Sequence, residues 1–139
     1  MKKFKIETEN TQMEGSVEEL ASAVIGHRII SAVHEGVPRD RWGNAYEDIL
    51  VLTLSNGNRV KIIDSSDCCA YTQLKAFMLS PSSINHVITS VGTSNGYTTW
   101  HIYAAMNDVL KINVAWDEGT GYYGYGFKIK VIEAKGGPF

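Results

Sequence analysis

Few side chains in this sequence have catalytic potential. Cys68 or Cys69 paired with His101 would supply a thiol nucleophile and its general base. Asp64 and Asp67 could form a carboxylate pair, but the two serines between them favour a turn in which an aspartate accepts hydrogen bonds from nearby backbone amides. We assign the chain no Walker loop, nucleophile elbow or HExxH helix. Catalysis is therefore the weaker interpretation, and we predict a protein that is not an enzyme and has no catalytic residue.

The adjacent cysteines also bear on metals and redox chemistry. A disulfide between sequence neighbours would need strained geometry, so both thiols are expected to be free. The chain has no other cysteine, and none of its four histidines is spaced from the pair as zinc ligands are. We therefore predict neither a metal site nor a cofactor.

Ligand binding without catalysis is indicated by the segment WDEGTGYYGYG, Trp116 to Gly126. It holds four glycines and four aromatic residues in eleven positions. Such glycine density near a strand favours a bulged turn or the close approach of a ligand. Exposed backbone amides could hold a phosphate there, and a neighbouring ring could stack on a purine. The segment predicts part of a nucleotide pocket, although any single ring is more often a filler of a β core.

A second aromatic strand precedes this segment. Side chains alternate in a strand, so Trp100, Ile102 and Ala104 would share one face while His101 and Tyr103 share the other. We predict that the first face belongs to the core and that the second faces a ligand site.

Length, composition and charge limit the class of protein. A chain of 139 residues that is 44% hydrophobic suits one globular domain with its own core. The net charge is −2 and the 13 Lys and Arg residues are scattered, which argues against a binder of duplex nucleic acid. No run of about eighteen apolar residues and no signal-peptide core is present, so we expect no membrane contact and a cytoplasmic location.

Two elements have clear local signals. Residues 1–15 read as an N-terminal arm that could be flexible, and a domain of residues 16–139 then opens on a helix. Ser16 is its predicted N-cap, Glu19 completes a capping box and Gly26 ends the helix. Further on, two runs of β formers flank Asn56 and Gly57, which predicts a hairpin with a tight turn.

The remaining elements define the expected fold. The stretch SSDCCAYTQLKAFMLSPSSI predicts a turn and a second helix that ends near Pro81, with Leu74, Phe77 and Met78 on its buried face. The later segments HVITSVG, TTWHIYAAM, DVLKINVAW and YGFKIKVIE read as four strands. We therefore expect a two-layer α+β domain, with an antiparallel sheet of about six to seven strands and about two helices.

Four motifs carry a resemblance to a known family. In chain order they are DCC (Asp67 to Cys69), TTWHIY (Thr98 to Tyr103), INVAW (Ile112 to Trp116) and TGYYGYG. This series, over roughly residues 47–131, resembles small phage proteins that act as anti-Thoeris sponges, which sequester the cyclic ADP-ribose signal of bacterial immunity. The motifs DCCAYT and GYYGYGF are similar in particular to those of a branch of that family from phages of actinobacteria.

The resemblance implies a β-sheet with helices, a homo-oligomer such as a dimer or a hexamer, and pockets at subunit interfaces in the infected host cell. The implied ligand is glycocyclic ADP-ribose or a cyclic oligonucleotide, held without cleavage. Two departures concern the ligand. Ala115 stands where relatives commonly have arginine, a natural pyrophosphate clamp, and Thr120 stands in place of asparagine. Arg59, Lys75 and Lys111 are the cations that could substitute for the clamp.

The leading hypothesis is thus a sponge that binds a small cyclic nucleotide, with tyrosine stacking, anion contacts from the glycine-rich turn, and an aspartate and the cysteine pair in the wall. The predicted ligand-binding residues are Tyr103, Trp116, Thr120, Gly121, Tyr122, Tyr123, Asp67 and Arg59. Two alternatives remain open. The aromatic patch could block a host protein, because Tyr and Trp are common anchors of protein interfaces, or the chain could be a small hydrolase that uses a cysteine with His101.

Overall fold

A computed structural model of the chain describes residues 11–38, 46–66, 70–81, 83–105, 107–118 and 126–134. Within these ranges lie one helix and nine strands, the fourth of only two residues. They are α1 Thr11–Val24, β1 Ile29–Pro38, β2 Tyr46–Leu54, β3 Arg59–Ile63, β4 Ser65–Ser66, β5 Ala70–Leu79, β6 Ser90–Ser94, β7 Thr99–Ala104, β8 Asn107–Glu118 and β9 Lys128–Ile132.

The strands form two antiparallel sheets. A four-stranded sheet has the order β1-β2-β3-β9, and a five-stranded sheet has the order β4-β5-β8-β7-β6. All strand pairs in the described part of the chain are antiparallel. The expected α+β fold, with one sheet and about two helices, is therefore wrong: the described residues are mostly β-strand, in two sheets, with a single helix.

The predicted second helix is strand β5, and a β-bulge explains the error. Leu74 pairs with Val114 and Ala76 with Asn113, so Lys75 is an extra residue in β5. The bulge places inward-facing Leu74 and Phe77 three residues apart, a spacing that imitates a helical face. Pairing with the long strand β8 then overrides the local helix propensity of this segment.

Helix α1 begins earlier than predicted. It starts at Thr11, so Ser16 lies inside the helix and is not its N-cap. The hydroxyl of Ser16 is buried and donates a 2.7 Å hydrogen bond to the carbonyl of Phe127. The predicted end is confirmed: the helix stops at Val24, and Gly26 follows with φ of 91°, a conformation that favours glycine.

The predicted hairpin is confirmed between β2 and β3. Residues 55–58 form its turn, Gly57 has φ of 89°, and the amide of Leu54 donates to the carbonyl of Asn58 at 2.9 Å. The asparagine side chain predicted at the turn also contributes, because Asn56 Oδ1 accepts from the amide of Asn58 at 3.1 Å.

One cluster of buried side chains joins the helix to both sheets. At its centre the ring of Trp100 packs edge-on against Phe127, with centroids 5.1 Å apart and an interplanar angle of 75°. Its other large members are Tyr97, Met13, Leu20, Ile29, Leu50, Leu52, Leu54, Ile62, Ile88 and Ile102. This shared core fixes how the two sheets face each other, and so fixes the cavity that lies between them.

Candidate functional site

Most of the predicted ligand-binding residues lie outside the described part of the chain. They are Asp67, Thr120, Gly121, Tyr122 and Tyr123. Cys68 and Cys69 also lie outside it, so a thiol nucleophile stays a prediction. The structure places the other three predicted residues, Tyr103, Trp116 and Arg59.

These three residues are not brought together. Arg59 is exposed at the start of β3, in the four-stranded sheet. Tyr103 and Trp116 belong to the other sheet, where Tyr103 pairs with Asp108, eight residues before Trp116 in β8. At about 3.3 Å per residue, that separation is about 26 Å along the strand.

The predicted alternation along β7 is confirmed for the core face. Trp100, Ile102 and Ala104 are buried in the core cluster. On the opposite face, however, His101 and Tyr103 are 5% and 2% exposed. The ring of Tyr103 is therefore not available at the surface for stacking on a ligand.

Trp116 and Trp100 brace the turn between β6 and β7. Asn95, Gly96 and Tyr97 follow one another there with φ of 57°, 64° and 64°. Left-handed backbone costs a non-glycine residue about 1–2 kcal/mol. The indole of Trp116 donates to the carbonyl of Gly96 at 2.7 Å, and that of Trp100 donates to the carbonyl of Tyr97 at 3.1 Å. Both tryptophans thus hold a strained turn in place.

A cavity of about 430 Å³ is lined by residues of both sheets. β1 contributes His34 and β2 contributes Asp48. β5 contributes the segment around its bulge, Leu74, Lys75, Ala76 and Phe77. A volume in this range is typical of small-molecule sites.

The polar wall of the cavity is a histidine–aspartate pair. His34 Nε2 lies 2.9 Å from Asp48 Oδ1, and both side chains are partly exposed. In the β1–β2 register, His34 is opposite Leu50 and Asp48 is opposite Gly36, so the pair runs diagonally across two strands on one face. The glycine at position 36 leaves that part of the wall without a competing side chain.

Asp64 connects the two sheets beside this cavity. Its buried carboxylate accepts from the amide of Leu74 at 2.8 Å and from the amide of Asp48 at 3.3 Å. The amide of Asp64 in turn donates to the carbonyl of Asp48 at 3.1 Å. The predicted turn is wrong, because Ser65–Ser66 form strand β4. Asp64 does accept from backbone amides, but they belong to residues 10 and 16 positions away in sequence and not to its neighbours. The distance between β2 and β5, and hence the shape of the cavity, depends on this side chain.

The opposite wall combines a cation with a ring. Lys75 is exposed and Phe77 is half-buried, packed against the core. An ammonium group, a partly accessible ring and the His34–Asp48 pair together suit a small molecule with an anionic group and a flat apolar part.

A larger cavity of about 570 Å³ lies beside the helix and β9. The described residues that line it include the three carboxylates Glu18, Glu19 and Glu133 and no lysine or arginine. A phosphate or carboxylate would be repelled there. The smaller cavity is therefore the better candidate for an anionic ligand.

The described residues contain no cluster of three His, Cys, Asp or Glu side chains that could hold a metal ion. Among the same residues, no helix has the length and apolar character needed to cross a bilayer.

Sequence reasoning did not assign His34, Asp48 and Phe77 to a site. The cavity forms only where strands of both sheets meet at the bulge in β5. The sequence of β5 has the pattern of a helix, so neither the bulge nor the cavity could be predicted from it. Lys75 was recognised only as one of three cations that could replace the missing arginine. The available signal was one polar side chain, His34 or Asp48, in each of two consecutive β-rich segments, and it indicates a site only once the register of the two strands is known.

A family model described as "Domain of unknown function (DUF7448)" matches residues 22–129, which is most of the chain. No curated protein and no solved structure matches it. The matched range contains all the described residues that line the cavity between the sheets.

Proposed function

We propose a function from the cavity, because the chain belongs to the DUF7448 family, whose description gives no function. The protein binds a small, planar, anionic molecule and holds it without cleaving it. In its specific form, the protein is a phage sponge for a cyclic nucleotide immune signal in the cytoplasm of the infected host cell. Glycocyclic ADP-ribose and cyclic oligonucleotides are the candidate ligands, and a homo-oligomer, either a dimer or a hexamer, is the proposed assembly. The observation that carries this proposal is the juxtaposition of Lys75 and Phe77 in a cavity of about 430 Å³.

Lys75 supplies a positive charge near the position where the family that the chain resembles commonly has an arginine. That position is Ala115 in this chain, and Ala115 pairs with Gln73 of β5. Lys75 lies two residues further along the same strand, so a positive charge is retained near the lost one. A hydrogen bond to a charged group contributes about 1.5–3 kcal/mol to binding or stability.

Phe77 supplies a flat apolar surface next to that charge. The stacking of a base on an aromatic side chain is worth about 1–3 kcal/mol. Together the ring and the ammonium group favour a ligand that has both a base and a phosphate over a simple inorganic anion.

The lining also supports binding without cleavage. Its described residues include no hydroxyl or thiol side chain that could act as a nucleophile. The imidazole of His34 is paired with Asp48, which leaves a polar wall that can orient a ligand.

The direct test is ligand capture. The purified protein is incubated with glycocyclic ADP-ribose and with a panel of cyclic dinucleotides and trinucleotides, and is then denatured by heat to release what it holds. Recovery of intact ligand supports sequestration. Recovery of cleaved product would contradict it, and the absence of any captured nucleotide or rise in Tm would favour the alternative of a protein-binding inhibitor.

A pair of lysine variants locates the site. Lys75→Met keeps the length of the side chain and removes its charge, and should weaken binding of the captured nucleotide about tenfold or more. Lys130→Met makes the same change on exposed β9, at a residue that lines neither cavity, and should bind as the wild type does. Equal affinities of the two variants, measured by titration calorimetry, would exclude the cavity as the site.

A further inference from the structure

Three side chains on the five-stranded sheet form a hydrogen-bonded series. Ser94 Oγ lies 2.8 Å from His101 Nε2, and His101 Nδ1 lies 3.0 Å from Asp108 Oδ1. The histidine is buried, and the aspartate side chain is 28% exposed. None of the three lines the cavity between the sheets.

The carboxylate sets the direction of the hydrogen bonds. An ionised aspartate only accepts, so the proton of a neutral His101 must lie on Nδ1, facing Asp108. Nε2 then carries the lone pair and accepts the hydroxyl proton of Ser94. A nucleophile, its base and an orienting carboxylate have this same polarity in hydrolases that use a Ser-His-Asp triad.

The register of β6, β7 and β8 explains why the three side chains meet. Ser94 pairs with Thr99, two residues before His101, and Asp108 pairs with Tyr103, two residues after it. The three groups therefore form a diagonal line across neighbouring strands on the same face.

A bulge in β8 is needed for this alignment. The register shifts between Ile102 and Tyr103, which leaves Val109 as an extra residue. Without the shift, Asp108 would lie opposite Ala104, whose side chain belongs to the core face. Bulges are frequent beside active sites because they redirect a side chain in this way.

The sequence around the serine has the spacing of a nucleophile elbow. Residues 92–96 read GTSNG, a G-x-S-x-G pattern, so the sequence-based statement that the chain has no such motif is wrong. Each glycine has a structural reason here. Gly92 pairs with His101 and so places no side chain opposite the histidine, and Gly96 has φ of 64° in the turn braced by the two tryptophans. The pattern lies between two strands and not between a strand and a helix, so it implies no kinship with the α/β-hydrolases.

We propose that Ser94 is a nucleophile, with His101 as its general base and Asp108 as a positioning residue, and that it hydrolyses small carboxylic esters. Ser94 Oγ attacks the carbonyl carbon while its proton passes to His101 Nε2. The tetrahedral intermediate expels the alcohol, which takes that proton, and leaves an acyl-serine. Water then attacks the acyl group with loss of a proton to Nε2, and the proton returns to Ser94 Oγ as the acid departs. This activity goes beyond ligand retention by the cavity and does not depend on it.

The test is covalent labelling of the full chain with a fluorophosphonate probe, whose phosphorus is attacked by an activated serine with loss of fluoride. Peptide mass spectrometry should place the adduct on Ser94 in the wild type and find none in Ser94→Ala. Ser90→Ala is the matched control: this half-buried serine is on the same strand and should leave labelling unchanged. Labelling of Ser94 would also overturn the prediction that the protein is not an enzyme.

Asp108→Asn separates a positioning role from a structural one. The amide can donate to Nδ1 and so favours the wrong tautomer, which should slow labelling of Ser94 by about 10²-fold or more. The pH profile of the labelling rate should also differ between the wild type and the variant, because only the carboxylate favours the tautomer whose Nε2 can accept the Ser94 proton. Circular dichroism confirms that each variant is folded. No adduct on Ser94 in the folded wild type, or equal rates and pH profiles for the wild type and Asp108→Asn, would overturn the proposal.

Discussion

Asp64 offers a direct test of how the two sheets are held together. Its carboxylate is 2% exposed and accepts from the backbone amides of Leu74 and Asp48, at 2.8 and 3.3 Å. Asp64→Ala removes both acceptors and leaves two amides without these bonds, one of them on each sheet.

The expected cost follows from the two distances. A short bond to a charged acceptor contributes about 1.5–3 kcal/mol, and a long one contributes about 0.5–1 kcal/mol. Asp64→Ala should therefore lower the free energy of unfolding by about 2–4 kcal/mol. Asp64→Asn keeps one acceptor oxygen for Leu74 but turns an NH₂ group toward the amide of Asp48, so it should cost about 1–2 kcal/mol.

Urea unfolding at neutral pH measures these differences, provided that the m-value of each variant matches that of the wild type. Asp48→Asn is the control, because it makes the same change as Asp64→Asn in a hydrogen-bonded His34–Asp48 pair whose side chains are 48% and 39% exposed. An exposed pair contributes about 0–1 kcal/mol. If Asp64→Ala lowers the free energy of unfolding by no more than Asp48→Asn does, the carboxylate of Asp64 does not hold the two sheets together beside the cavity.

Three further substitutions test local geometry by urea unfolding. Gly96→Ala has open space for its methyl group but must adopt φ of 64°, so it should cost about 1–2 kcal/mol from backbone strain alone. Gly57→Ala combines φ of 89° with a Cβ that would lie 2.9 Å from the Cβ of Ala134, so it should cost more than Gly96→Ala; the reverse order would contradict the geometry of the hairpin turn. Trp116→Phe keeps a ring but loses the donor to the carbonyl of Gly96, and should cost about 0.5–1.5 kcal/mol. A neutral result for Trp116→Phe would mean that the indole does not brace the turn.

Local signals predicted some elements of this fold correctly. The β2–β3 hairpin depends on Asn56 and Gly57, which lie in the turn that they specify. Gly26 likewise ends helix α1 through its own backbone conformation. Such features need no knowledge of the rest of the chain, and so they are readable from a few neighbouring residues.

Features that depend on distant partners were not predictable in this way. Ser16 has the sequence context of an N-cap, yet its hydroxyl donates a hydrogen bond to the carbonyl of Phe127, 111 residues away in sequence. Tyr103 was expected on an open face, but that face is buried at this position. Two sheets were read as one, because alternation shows that a strand has a buried face and does not show which other strands cover it.

Both candidate sites coincide with a break in the two-residue period of a strand. The bulge at Lys75 made β5 resemble a helix, and it is also the place where a cation and the ring of Phe77 reach the cavity. The bulge at Val109 puts two consecutive buried residues in β8, and it brings Asp108 to the same face as His101. Prediction from sequence assumes that buried and exposed side chains alternate along each strand. That assumption fails where a bulge turns a polar side chain toward a site. We therefore expect mutations at these two bulges to change binding or reactivity more than they change stability.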